Sequence, residues 1–200
     1  CNRFTTRICS IWRLSMSKSA DLARGITNNL ISSTTTSNTA NVSMTVGNYD
    51  NYRLEIIGLV PVTDDVDAKL EFSTDSGSSY ISSSIYASYL AFRMDAASVD
   101  SIANDSNNAA FLTLGPNFDD SANVGSTLEL WMPNLSNNVT TGQRRNGWWH
   151  YSGYSNATGI RHVYGGFHIT NTSAFNNIKF SFSSGNIETG VFNLYGVQSV

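Results

Sequence analysis

From about position 41 the chain alternates apolar and polar residues in short runs, each closed by turn residues. Val42, Met44 and Val46 alternate before Gly47-Asn48. Tyr52, Leu54 and Ile56 alternate with Arg53 and Glu55; the run then turns apolar up to Val60, and Pro61 with Thr63-Asp64-Asp65 ends it. Ala68, Leu70 and Phe72 follow, with Lys69 and Glu71 between them and Asp75-Ser76-Gly77 as the next turn. A period of two marks a strand with one buried and one wet face, because successive side chains leave a pleated backbone on opposite sides. The same pattern predicts strands at 88–94, from Ala110 to Leu114, from Leu128 to Met132, and at 147–151, 160–170, 176–183 and 191–198. Residues 79–87 fit no single period, and Asn104 to Asn108 reads as a loop. About ten short strands with almost no helical period predict an all-β fold, an antiparallel two-sheet β-sandwich that is jelly-roll-like.

The first forty residues break this pattern. Residues 17–25 read as a short helix: Ser17 or Ser19 caps it, Asp21 suits its first turn, Arg24 its last, and Gly25 its stop. Residues 27–40 are dense in Ser and Thr, which predicts a polar linker running over the surface or along a partner. Residues 1–15 (CNRFTTRICSIWRLS) are basic and lack the apolar core of a signal peptide. They read as an upstream stretch joined to a frame that starts at Met16; a flexible arm or a processed terminus is the alternative. The predicted organisation is an N-terminal arm over 1–40 and a β-sandwich domain over 41–200.

Composition sharpens this picture. Charged residues make up 14% of the chain, and Ser, Thr and Asn together roughly a third, so the polar surface is built from hydroxyls and amides. Aromatics at 12% rule out a disordered polar chain. A net charge of −3, with Arg144-Arg145 as the tightest basic cluster, argues against nucleic acid as a partner. No apolar run approaches a membrane-spanning helix, so no membrane is expected. Cys1 and Cys9 both lie at the N-terminus, which leaves the body of the chain without a disulfide framework or a thiolate zinc site.

Candidate chemistry is sparse. His162 and His168 share one face of a predicted strand but stand about 20 Å apart, too far for one metal ion, and His150 would approach either only through tertiary packing. Asp64, Asp65 and Asp67, and separately Asp119-Asp120, are weak calcium-loop candidates that turn acids explain equally well. No metal and no cofactor are expected. G-x-S-x-G is absent, and the few glutamates (Glu55, Glu71, Glu129, Glu188) do not assemble a catalytic pair, so no catalytic residue is assigned. Gly165-Gly166 falls inside a predicted strand and marks a bulge or a close approach. The recognition candidate is the aromatic run 147–154, GWWHYSGY. On a strand, Trp148 and His150 point one way and Trp149 and Tyr151 the other. With Tyr154, Arg144 and Arg145, the residues Trp148, Trp149 and Tyr151 form the candidate binding set, suited to stacking on a sugar ring or to a protein contact.

Two segments carry a resemblance. MSKSADLARGI at 16–26 is similar to the segment that opens small modules in tail-fibre and other virion proteins of tailed phages. ATGIRHVYGGFHIT and FSFSSGNIETGVFNLYGV, within 157–197, resemble the final strands of marine-phage structural proteins. The resemblance implies a virion-associated β-sandwich of a fibre, tail or capsid decoration. It implies a homo-oligomer such as a trimer, other virion proteins as partners, and location in the extracellular particle. It supplies no catalytic residues. The expected function is therefore a non-enzymatic virion structural protein contributing to host-surface attachment. A carbohydrate-binding module that meets a cell-surface glycan through exposed aromatics is the alternative, and a glycan depolymerase the third reading.

Overall fold

The computed structural model describes residues 26–94, 99–120, 125–155 and 159–199. The predicted helix at 17–25 and residues 1–15 lie outside these segments. Among the described residues twelve strands form: β1 (Ile26–Thr39), β2 (Val42–Thr45), β3 (Asn51–Pro61), β4 (Val66–Ser73), β5 (Ile85–Met94), β6 (Val99–Ala109), β7 (Leu112–Phe118), β8 (Ser126–Pro133), β9 (Arg145–Ser155), β10 (Gly159–Ile169), β11 (Asn177–Phe182) and β12 (Ile187–Ser199).

All pairings are antiparallel. One sheet has eight strands in the order β1-β12-β3-β8-β9-β10-β5-β6, and the other has four in the order β7-β4-β11-β2. Among the described residues a single bridge, Phe118 to Ser155, links the two. The pairings nest: β5 with β6, β4 with β7, β3 with β8, β2 with β11, and β1 with β12 enclose one another in sequence. The β9–β10 hairpin is inserted between β8 and β5 in the larger sheet.

Alternation sets what lies between the sheets. β3 buries Tyr52, Leu54 and Ile56, and β8 buries Leu128, Leu130 and Met132, while the residues between them face outward. Aromatic pairs span the gap: Phe118 of β7 meets Tyr151 of β9 at 4.4 Å, Phe180 of β11 meets Phe192 of β12 at 5.2 Å, and Phe72 of β4 meets Phe167 of β10 at 6.4 Å. Burying one such side chain is worth about 1.5–3 kcal/mol. Asp75 builds the predicted turn after β4, accepting from the Ser73 hydroxyl at 2.7 Å, the Ser79 amide at 2.9 Å and the Ser79 hydroxyl at 2.6 Å. These donors hold its carboxyl at about 2, below the usual aspartate range.

Two predicted irregular segments are strands. The run 27–40, expected to be a linker, is β1, hydrogen-bonded along β12 from Ile26 to Thr39, so the sandwich begins before position 41. An edge strand needs a ladder partner more than an apolar stripe, and β-branched Thr fits the pleat. Thr36 alone in this strand is buried among the residues whose side chains are described, and its hydroxyl donates to the Gly190 carbonyl at 3.2 Å. The segment Asn104 to Asn108, expected to be a loop, continues β6 beside β5 for the same reason. β7 likewise runs through Gly115-Pro116-Asn117 to Phe118, and β5 resolves the ambiguous stretch by starting at Ile85.

Candidate functional site: the outer face of the eight-stranded sheet

β9 presents its residues strictly by alternation. Arg145, Trp149 and Tyr151 face the core and are buried, whereas Trp148 is 47% exposed and Tyr154 also faces outward. Arg144 precedes the strand and is exposed. Of the six predicted binding residues, three are thus structural. The Arg145 guanidinium donates to the carbonyls of Asn134 (2.9 Å), Ser173 (2.8 Å), Asn171 and Asn137, and lies 5.0 Å over the Phe175 ring. It ties the loop after β8 to the loop before β11, and burial lowers its pKa. Trp149 donates its Nε1–H to the Leu114 carbonyl at 2.7 Å. Burial pushes the Tyr151 hydroxyl up to about 12, against the lowering effect of its Ser126 hydrogen bond. The remaining three do not converge: Trp148 and Tyr154 are six residues apart on one strand, about 20 Å by strand rise.

What gathers around Trp148 comes instead from neighbouring strands. Register places Tyr195, Arg53, Trp131, Trp148, Gly166, Ser88 and Asp105 in one rank across β12, β3, β8, β9, β10, β5 and β6. Flat groups stack along it. The Arg53 guanidinium lies 4.6 Å from the Tyr195 ring centre, and Trp131 and Trp148 stack at 6.0 Å with planes 25° apart. The ladder stops at Gly166, where an added Cβ would meet nothing closer than the Gly147 carbonyl oxygen at 3.8 Å. Beside this bare position lies a depression of about 430 Å³, lined among others by Tyr86, Ser88, Asp105, Gly166 and His168. Tyr86 and His168 stack at 4.7 Å and form one wall.

The adjoining rank is Glu55, Glu129, His150, Tyr164 and Leu90. His150 stacks on Tyr164 at 4.7 Å and on His162 at 6.2 Å. Tertiary packing, which alone could bring His150 to another histidine, makes it His162's neighbour, because β9 and β10 pair along their length. Two imidazoles fall short of the three or four ligands zinc takes. Glu129 accepts from Trp131 Nε1 at 3.0 Å and lies 3.6 Å from Arg53, and Glu55 accepts from the Tyr195 hydroxyl at 3.3 Å.

Compared with family models, curated proteins and solved structures, the chain matches none. The surface has to be read from its own chemistry. It offers stacked planar groups, hydroxyls and a few carboxylates, and five exposed apolar side chains, Trp148, Leu90, Tyr164, Ile160 and Tyr154, lie together on β9, β10 and β5, with Ile57 on β3 and Leu30 on β1 further along the sheet.

The acids singled out in the sequence also meet. Carboxylate oxygens of Asp64, Asp119 and Asp120 lie within 4.8 Å of one another, at the ends of the loops after β3 and β7. Asp64 accepts from the Asp65 amide at 2.9 Å, and Asp65 and Asp67 accept from Asn117. Calcium takes about six to eight oxygens, and three side chains supply fewer.

Trp131, Tyr164, His162, Gly166, Tyr86 and Asp105 were missed as site residues. Their signal was available in part: within 160–170, alternation places His162, Tyr164, Gly166 and His168 on one face. Which strand would lie beside which was not.

Proposed function

We propose that the chain is a non-enzymatic structural protein of a tailed-phage virion, a fibre, tail or capsid-surface component folded as a jelly roll and assembled as a homo-oligomer. The nested pairing carries this reading. A long antiparallel ribbon wrapped so that its turns fall alternately in two sheets is the jelly-roll plan, which recurs in viral capsid and lectin domains. Here the ribbon pairs β2–β11 and β4–β7 fall in one sheet, and the pairs that flank them along the ribbon, β1–β12, β3–β8 and β5–β6, fall in the other. An inserted hairpin, β9–β10, preserves the alternation of direction. A surface with few ions supports the reading as well, since ladder hydrogen bonds and apolar packing are little affected by salt whereas exposed ion pairs are screened. Glu55 and Glu129, the carboxylates paired across β3 and β8, are each engaged by a donor, which favours a structural over a catalytic role. Peptide mass mapping of particles purified from a culture carrying the gene should find this chain, and native mass measurement should find an oligomer. A monomer absent from particles would overturn the proposal.

A second reading, a carbohydrate-binding module, is favoured by one observation: the free face of Trp148 beside a bare glycine. It is compatible with the first, as an attachment function of the particle surface.

A further inference from the structure

We infer that the gap at Gly166 is a binding slot for one neutral hexopyranose ring, stacked on Trp148. This rests on the carbohydrate-binding reading and specifies its site. The rank of planar groups from Tyr195 through Arg53 and Trp131 ends with Trp148. Trp148 stacks with Trp131 of β8 at 6.0 Å and is 47% exposed, and on the other side of β9 its register partner on β10 is Gly166, which contributes no side chain. A flat group inserted there continues the stack. The far side of the gap decides which flat group. Ser88 follows Gly166 in register and Asp105 follows Ser88, so a hydroxyl and a carboxylate face the vacant position. The Tyr86–His168 pair closes one side.

A pyranose ring matches both walls. Its axial C–H face is weakly positive and fits the negative face of an indole, and its equatorial hydroxyls suit Ser88 and Asp105. A phosphorylated or sulfated sugar fits less well, because the polar wall carries a carboxylate and neither a lysine nor an arginine lines the depression among the described residues. The depression on the Gly166, Ser88 and Asp105 side, about 430 Å³ and not itself lined by Trp148, is at the small end of ligand sites and takes the hydroxyl-bearing edge of the ring. A short site with one stacking partner binds weakly as a single copy, and an oligomer raises its avidity.

Gly166 also supplies the test. Its backbone does not adopt positive φ, and a Cβ there meets only the Gly147 carbonyl oxygen at 3.8 Å, an ordinary contact, so Gly166→Phe fills the slot without disturbing the core. The full chain is applied to a printed array of neutral and anionic oligosaccharides, and the best neutral binder is titrated by saturation-transfer NMR. The expected result is binding to at least one neutral oligosaccharide, weakened tenfold or more by Gly166→Phe and by Trp148→Ala, and weakened severalfold by Asp105→Ala, all at unchanged melting temperature. Binding that survives both Gly166→Phe and Trp148→Ala would overturn the slot and leave the carbohydrate reading intact. No binding to any array member would overturn both. A change of oligomeric mass in Gly166→Phe without any effect on glycan binding would assign the gap to a protein contact and overturn the inference.

Discussion

Gly165 and Gly166 are chemically identical neighbours on β10, yet they face opposite surroundings. An added Cβ at Gly165 would lie 2.1 Å from the Trp149 ring, whereas at Gly166 it would meet nothing closer than 3.8 Å. Gly165 is bare because the largest side chain of the core lies against it; Gly166 is bare with nothing from the protein in its place. The first is a packing requirement and the second is not. The register of β9 with β10 is continuous, so neither residue marks a bulge, and the close approach expected of the pair belongs to Gly165 alone. The same division runs along β9, where Arg145, Trp149 and Tyr151 hold the sandwich together and Trp148 does not.

Substitutions can break or sharpen this contrast. The largest effect is expected at Trp149: Trp149→Ala removes its ring from the core and a buried hydrogen bond, at a cost of about 3–5 kcal/mol in urea denaturation. Trp148→Ala, one residue away, should change stability by no more than about 0.5 kcal/mol. If the two cost the same, the division between faces is wrong. Arg145→Met should come next, at about 3 kcal/mol, because it strips the donors from several buried carbonyls. Comparable stability of the Met variant would mean that water takes the place of the guanidinium.

The Tyr151 hydroxyl gives a pH signature. Its pKa is raised on folding from 10.0 to about 12, so the folded state keeps the proton that the unfolded chain loses. The contribution is therefore complete below pH 10 and is lost as pH rises through 12, up to about 2–3 kcal/mol. Denaturation curves of wild type and Tyr151→Phe should differ in slope over that window and run parallel below it. A parallel course throughout would place the hydroxyl in contact with solvent. The glycines repeat the contrast on β10: Gly165→Ala should cost about 1–3 kcal/mol by overpacking, and Gly166→Ala should fall within about 0.5 kcal/mol of wild type. Equal values would remove the distinction from which the binding slot was inferred.

How much of this was legible in the sequence depended on where the information resides. The strands β3, β4, β8 and β11 could be read directly, since each buries every second residue and the period survives in the sequence. β1 and β6 could not: their ladders are supplied by β12 and β5, and edge positions tolerate Ser, Thr and Asn on both faces. Among the site residues, alternation alone put Trp148 and Trp149 on opposite faces, and burial in the sandwich decides that Trp148 is the outward one. Its neighbours Trp131 and Gly166 were invisible, because register between β8, β9 and β10 is fixed by packing of the whole sandwich and leaves no mark within any one segment. The proximity of His150 to His162 and the meeting of Asp64 with Asp119 and Asp120 were hidden for the same reason.

The pairing of β1 with β12 has a consequence for how the protein is made. Ser33 and Asn193, which share a hydrogen bond at 2.7 Å, are separated by 160 positions. At about 5–20 residues per second, a ribosome delivers the second of them roughly ten to thirty seconds after the first. Throughout that interval β1 has no ladder to join. A nascent segment rich in Ile or Val would be exposed to neighbouring chains for the whole delay, whereas one rich in threonine and serine stays hydrated until its partner emerges.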